Sequence, residues 1–407
     1  MDSLMTCNPP AAEEKPQSRP EPETWLTLHD AARGTRHLCS DARGRPIAWI
    51  QADGTRLAFA HDDTGSLRRI EAGDWFVAIN APARGPTMVV RDRHGTTDLW
   101  FRHDGRARTI CRDGHELTLE LDEQERPVRV TLPGSVMPLH YVWDDDGGCV
   151  VSAGGSVTIL ALETAGARRR MSIADHACLE EVLAFGQVHL RAASGASALS
   201  VTLQLENMSA IAERRWSDGV RETLTRDASG RLSAWRCGDA AGTWRYAGAD
   251  LVEDDHGQRE LDAAGHVTAL RRTDGSVVRY RYDACGRRSE RMADDGVTRY
   301  AYDPLGALAS VVQPDGCVTE YRFDGTGRRV SLHRGGAVRQ EHRDEYGRLW
   351  SVTDGQGCAL HSYIWIGDRI AARLDGPVGA PVAEAYASDP FGTPLIALVA
   401  EKDDWRC

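Results

Sequence analysis

Four aspartates recur at nearly constant spacing in the second half of the chain: Asp283, Asp303, Asp324 and Asp344, separated by 20, 21 and 20 residues. Carboxylates in such a series can serve as general acids and bases or as metal ligands. The aromatic side chains beside them, Tyr280, Tyr282, Tyr300, Tyr302, Tyr321 and Phe323, offer flat faces on which sugar rings stack. Adjacent His61-Asp62, His103-Asp104 and Asp175-His176 pairs invite a search for a proton relay. Each idea meets an objection. The aspartates stand three residues before Gly286, Gly306, Gly327 and Gly347, which is the composition of a turn. A catalytic triad is defined by geometry in space, and 14 histidines among 60 acidic residues produce chance neighbours. No Gly-x-Ser-x-Gly elbow, phosphate-binding loop or His-Glu-x-x-His helix occurs. The expectation is a protein that is not an enzyme, with no catalytic, cofactor-binding or metal-ligating residues, whose aromatics pack a sheet.

The elements that position these residues follow from the period, since a unit repeated at fixed length announces an array of small modules. The phrase reads Tyr280-Arg-Tyr282-Asp283-Ala-Cys-Gly286-Arg287, then Tyr300-Ala-Tyr302-Asp303-Pro-Leu-Gly306, then Tyr321-Arg-Phe323-Asp324-Gly-Thr-Gly327-Arg328. A worn copy follows at His342-Arg-Asp344-Glu-Tyr-Gly347-Arg348. Asp274-Gly275, Asp295-Gly296 and Asp315-Gly316 lie eight or nine residues ahead of the first three aspartates, and Asp-Gly is a strong hairpin signal. Between the two turns the residues alternate, with Val278, Tyr280 and Tyr282 on one face and Val277, Arg279 and Arg281 on the other. Period two means strands. Return strands follow, as at Arg329–Leu332 and Leu349–Val352, so one period is one β-hairpin.

At these residues the chain resembles the YD-repeat, or Rhs (rearrangement hot spot), family, whose signature is Tyr-x-Tyr-Asp-x-x-Gly-Arg with an upstream Asp-Gly turn. His361 to Ile370 and Asp389-Pro390-Phe391-Gly392-Thr393-Pro394 look like its later repeats. The resemblance implies an all-β fold in which tandem hairpins form a continuous spiralling sheet, part of a hollow shell. In bacterial relatives such a shell encloses a toxic C-terminal domain freed by paired aspartates; animal relatives use a related shell in adhesion. Only 15 residues follow Gly392, so the self-cleavage motif and toxin domain are expected to be missing, and autoproteolysis is assigned to no residue.

Taken in order, residues 1–23 hold five of the 17 prolines and read as a disordered leader. Residues 24–150 carry the same grammar in diverged form, with Asp53-Gly54 nine residues before Asp62 and Asp113-Gly114 nine before Asp122. Residues 151–215 lose the phrase and read as an irregular or diverged β region, with a helix over 175–185 or a separate small domain as alternatives. The repeat resumes over 216–394, and 395–407 reads as a tail.

Net charge is −11, which argues against a nucleic-acid partner. Lysine occurs only at Lys15 and Lys402, and arginine carries the remaining positive charge. Ten cysteines without a Cys-x-x-Cys pair argue against a zinc site or redox motif and favour a reducing compartment. No basic start precedes an apolar run, and the apolar stretch 395–400 is too short to span a bilayer. The expected location is the cytoplasm, with export by a route independent of a signal peptide. The expected role is a non-enzymatic shell that encapsulates or scaffolds a toxin cargo or closing polypeptide supplied in trans. The alternatives are glycan binding through the aromatic ladder, or an inactive truncated fragment.

Overall fold

The computed structural model describes residues 24–80, 87–135, 137–173, 177–184, 186–194, 197–206, 209–376, 382–399 and 404–406. The leader expected over 1–23 lies outside them. Every regular element among the described residues is a strand, and each pairs antiparallel with its neighbours in sequence, from Thr24–Asp30 to Asp404–Arg406. The ladder is interrupted once. Ala240–Thr243 closes a 22-stranded sheet and Arg245–Ala247 opens a 17-stranded one, with Trp244 between them. Gly242 lies directly beneath the Trp235 indole, where a Cβ would collide with the ring.

The periodic aspartate has a periodic consequence for the ladder. The register shifts between Arg281 and Tyr282, Ala301 and Tyr302, Arg322 and Phe323, and His342 and Arg343, just before each signature aspartate. Older copies do the same at Cys39/Ser40, Ala60/His61 and Glu120/Leu121. A bulge adds local twist and bends its strand, so bulges recurring along the ribbon make it coil.

Long-range contacts show that coil. Gln51 reaches Pro304, Arg287 reaches Asp53, Arg322 reaches Asp92, Arg112 reaches Asp324 and Arg369 reaches Glu181. Their sequence separations, 253, 234, 230, 212 and 188, change slowly, and from Asp53 onward the contacts advance along both segments. A ribbon doubling back like a hairpin would give separations that shrink to zero. These two legs run in the same sense, one coil beside the next.

Burial is uneven along the ribbon. Residues 99–211 alternate inward Leu117, Leu119, Leu139, Val151, Leu160, Ile173, Leu190 and Leu203, all fully or nearly fully buried. They share one core with Trp350, Ile364, Leu374, Ala385, Ile396 and Leu398 of the second leg. Each such Leu or Ile contributes about 1.5–3 kcal/mol on burial. The segment 177–184, for which a helix was an alternative, is the strand Ala177–Ala184, paired on both sides. Residues 395–399 and 404–406 of the expected tail lie in strands of the second sheet.

Candidate functional site

The unit at Asp283 shows how the signature residues act. Its carboxylate Oδ1 accepts the backbone N–H groups of Cys285 and Arg287, both at 2.9 Å, and Oδ2 accepts Arg287 Nε at 2.7 Å. Gly286, at φ 75°, donates to the Asp283 carbonyl at 3.0 Å. Asp344 repeats the set with Tyr346, Arg348 and Gly347, and Asp41 and Asp227 do so in the outlying copies; Asp122 does so with Glu125, at φ 60°, in the place of the glycine. At the remaining signature glycines, Gly306 and Gly327, φ is 92° and 78°. Asp41, Asp122, Asp227, Asp283 and Asp344 are turn acceptors with both carboxylate oxygens in use.

The aromatic residue just before the aspartate ties its unit to the one before. Tyr282 Oη donates to the Val267 carbonyl at 2.9 Å and Tyr302 Oη to that of Arg288 at 2.8 Å. Tyr246 does the same with Leu232, while the Trp143 and Trp365 indoles donate to Pro127 and Leu349. In every case the acceptor opens the return strand of the preceding unit. The preceding arginine also covers the ring: Arg287 lies 4.9 Å from the Tyr302 centroid, Arg231 4.1 Å from Tyr246 and Arg126 5.0 Å from Trp143. Arg288 covers Tyr280 at 4.2 Å, and Arg329 lies 5.7 Å from Tyr321. Tyr300 and Phe323 are half-buried. Rings stacked under guanidinium groups leave little free face for a sugar.

Where the two legs meet, a polar seam forms that the sequence did not announce. Arg328 sends Nη1 to the Asp344 carbonyl at 3.1 Å instead of pairing within its own unit. The Asp324 Oδ2 atom receives Arg112 Nε, also at 3.1 Å, from the first leg. Arg112 is 5% exposed and also donates to the Arg343 carbonyl at 2.7 Å. Beside it His342 is buried, with Nε2 3.0 Å from the Thr353 hydroxyl and its ring 5.4 Å from His115. Burial, reinforced by His115 and Arg112, pushes His342 down to about 3. Further along, Arg322 pairs with Asp92 at 2.9 Å, Arg93 pairs with Glu320 at 2.6 Å, and His94 stacks on His333 at 5.7 Å.

This seam clamps; it does not assemble a nucleophile, base and acid. The Ser331 hydroxyl lies 3.0 Å from His333 Nε2, but that hydroxyl is buried and desolvation lowers the histidine's proton affinity. Among the described residues no carboxylate is hydrogen-bonded to the other His333 nitrogen, and no three metal-ligating side chains gather. The adjacent His–Asp pairs separate as well. Asp62 accepts from Thr64, Ser66 and Arg68, and His103 faces Glu345 at 3.3 Å. Asp175-His176 lies outside the described residues.

Residues 262–298 and 302–339 match the RHS Repeat family. The chain carries RHS repeats. The matched stretches contain the Asp283, Asp303 and Asp324 turns and the bulged hairpins around them. No curated protein matches the chain. Among solved structures it is similar to a TcdB2-TccC3-TEV crystal structure, at 11% identity and a TM-score of 0.36, covering 93% of this chain and 29% of that one. A Photorhabdus luminescens Tc holotoxin pore gives 10% identity and a TM-score of 0.35, with 93% and 29% covered. The chain thus spans about three tenths of the length of these matches.

The turn at residues 344–348 rests on the first leg and borders a cavity of 240 Å³ lined by Trp143, Trp350, Trp365, Tyr346 and Arg108. Its three indole N–H groups are already bonded, to Pro127, Asp344 and Leu349. No helix among the described residues is long and apolar enough to cross a membrane.

Proposed function

We propose that this RHS-repeat chain is a non-enzymatic shell segment that surrounds or braces a partner polypeptide, with a toxin-like cargo as the leading candidate. The observation that carries the reading is the bare middle of the ribbon. Among the described residues no apolar side chain from Ala212 to His256 is buried, although most of the segment is regular strand. Leu224, Leu232, Trp235 and Leu251 there are only half-covered. A run of regular strands with no fully buried apolar side chain is a wall, and walls of this kind are stabilised by what lies against them. The signature residues serve the wall itself, through the turn and inter-unit bonds described above.

Small-angle scattering separates a wall from a solid body. A compact chain of this length has a radius of gyration near ~22 Å. A clearly larger value, with distances skewed towards the long end, is expected. A photocrosslinker placed at Trp235 should then capture a polypeptide in the native host under secreting conditions. A compact radius together with no adduct at Trp235 would remove the reading.

A further inference from the structure

The unit at Asp303 breaks the pattern of its neighbours. In the units at Asp41, Asp122, Asp227, Asp283 and Asp344, an arginine four residues on delivers Nε to the aspartate Oδ2. At Asp324 that cation comes from Arg112 across the seam. After Asp303 the fourth residue is Ala307, which gives Oδ1 a backbone N–H at 2.8 Å and has no side chain to offer Oδ2. Arg287 on the preceding turn is already held by Asp283 at 2.7 Å and Asp53 at 2.9 Å.

The missing side chain leaves space. Asp303 and Ala307 line a cavity of 260 Å³ between the legs, whose walls include Trp75, Val90, Ala309 and Tyr321. Leu305, 47% exposed, stands at its lip, and Gln51 holds the turn in place by donating to the Pro304 carbonyl at 2.5 Å. The other two carboxylates lining the cavity are matched, Asp92 by Arg322 and Asp324 by Arg112. Among the described residues Asp303 has no cationic side chain in an ion pair. Arg93 and Arg322 also line the cavity but are paired with Glu320 and Asp92, so it combines one acid without an ion-pair partner with apolar and aromatic walls, which suits a cation carried on a methylene stem.

We propose that this cavity is a socket for an arginine side chain of a partner polypeptide, which docks its guanidinium on Asp303 in the place that arginine occupies in the neighbouring units. Two features favour arginine over lysine. The aspartates of the sister units meet a guanidinium through Nε, and a planar fork reaches Oδ2 while its stem lies on Tyr321 and Trp75. Desolvation raises the proton affinity of Asp303, so docking weakens as pH falls and the carboxyl protonates. The socket does not depend on the shell reading, since a small probe tests it with no cargo present.

The experiment titrates the full chain with N-acetyl-arginine methylamide by calorimetry, with the citrulline analogue as a neutral control of similar shape. Saturable binding at one site, with a Kd on the order of 1 mM, is expected for one side chain. Citrulline should bind at least tenfold more weakly. Asp303→Asn keeps an acceptor for the Ala307 N–H and should abolish arginine binding. Ala307→Arg should fill the socket from within, abolish binding and raise the thermal midpoint. Absence of saturable binding to the folded wild-type chain overturns the proposal. So does equal binding of citrulline, or arginine binding that survives Ala307→Arg.

Discussion

The strands over 99–211 and those over 212–243 belong to one sheet and are built by the same hairpin rule, yet their surroundings are opposite. The first stretch is sealed by the 350–398 strands, with Leu139, Leu160, Val188 and Leu203 wholly buried. The second has no buried side chain among the described residues. The stretch that lost the Tyr-Asp phrase has the better core, and the neighbouring stretch where the phrase resumes is bare. The signature and the core thus answer to different demands. Tyr282, Asp283 and Arg287 bond units side by side along the ribbon, whereas Leu160 and Leu203 answer to whatever lies on the face of the sheet. A segment can lose the first kind of residue and stay a regular sheet if it gains the second.

That contrast can be broken by measurement. Trp350→Ala in the sealed stretch should cost about 3–5 kcal/mol, because it empties a fully buried indole and strands its Asp344 bond. Trp235→Ala in the bare stretch should cost about 1 kcal/mol, since its ring is half-exposed. Local opening energies from hydrogen exchange read both. Equal losses would erase the distinction between the two regions.

The seam offers a second test of comparable size. Arg112→Met leaves Asp324 buried without a cation and should cost about 3–5 kcal/mol, most of it recovered when Asp324→Asn is added. Urea unfolding of the single and double variants decides this. A double variant as unstable as Arg112→Met would mean that the arginine acts through its bond to the Arg343 carbonyl instead.

The pH dependence follows from His342. Its folded value, about 3, lies below the 6.5 of an unperturbed histidine, so between these limits the unfolded chain binds a proton that the folded chain refuses. Above pH 6.5 the group contributes no pH dependence. Stability then falls as the solution is acidified, by about 2 kcal/mol between pH 6.5 and about 5. His342→Gln should flatten that part of the profile, and an unchanged slope in the variant would place the effect elsewhere. The smallest expected change is Tyr282→Phe, which removes one inter-unit bond to Val267 and should cost about 1 kcal/mol. Its effect should stay within the strands Val267–Arg272 and Val277–Tyr282.

Much of the local structure was legible. The Asp-x-x-Gly turns, the outward Arg279 and Arg281 and the inward Val278 follow from short-range spacing, and the structure places them so. The seam was not legible. Nothing near Arg112 in sequence distinguishes it from other arginines, and its partner lies 212 residues away. His342 carried a signal only as the worn first residue of its phrase, where other units have tyrosine or phenylalanine. The segment 177–184 admits a helix as an alternative because Cys178, Leu179, Val182 and Leu183 recur at the i, i+1, i+4, i+5 spacing of a helical face; pairing on both sides settles it as strand.

The sequence by itself determined the unit. Aspartate, glycine and alternation act within about twenty residues, where turn geometry and strand period leave few choices, and stacking such units requires only that each resemble the next. Only the tertiary structure decided which part of the ribbon is covered and which aspartate meets which arginine. Those outcomes depend on the accumulated twist of many bulged hairpins, each adding a small rotation. That sum sets whether the second leg arrives over Leu160 or over Leu232, and no local pattern carries it.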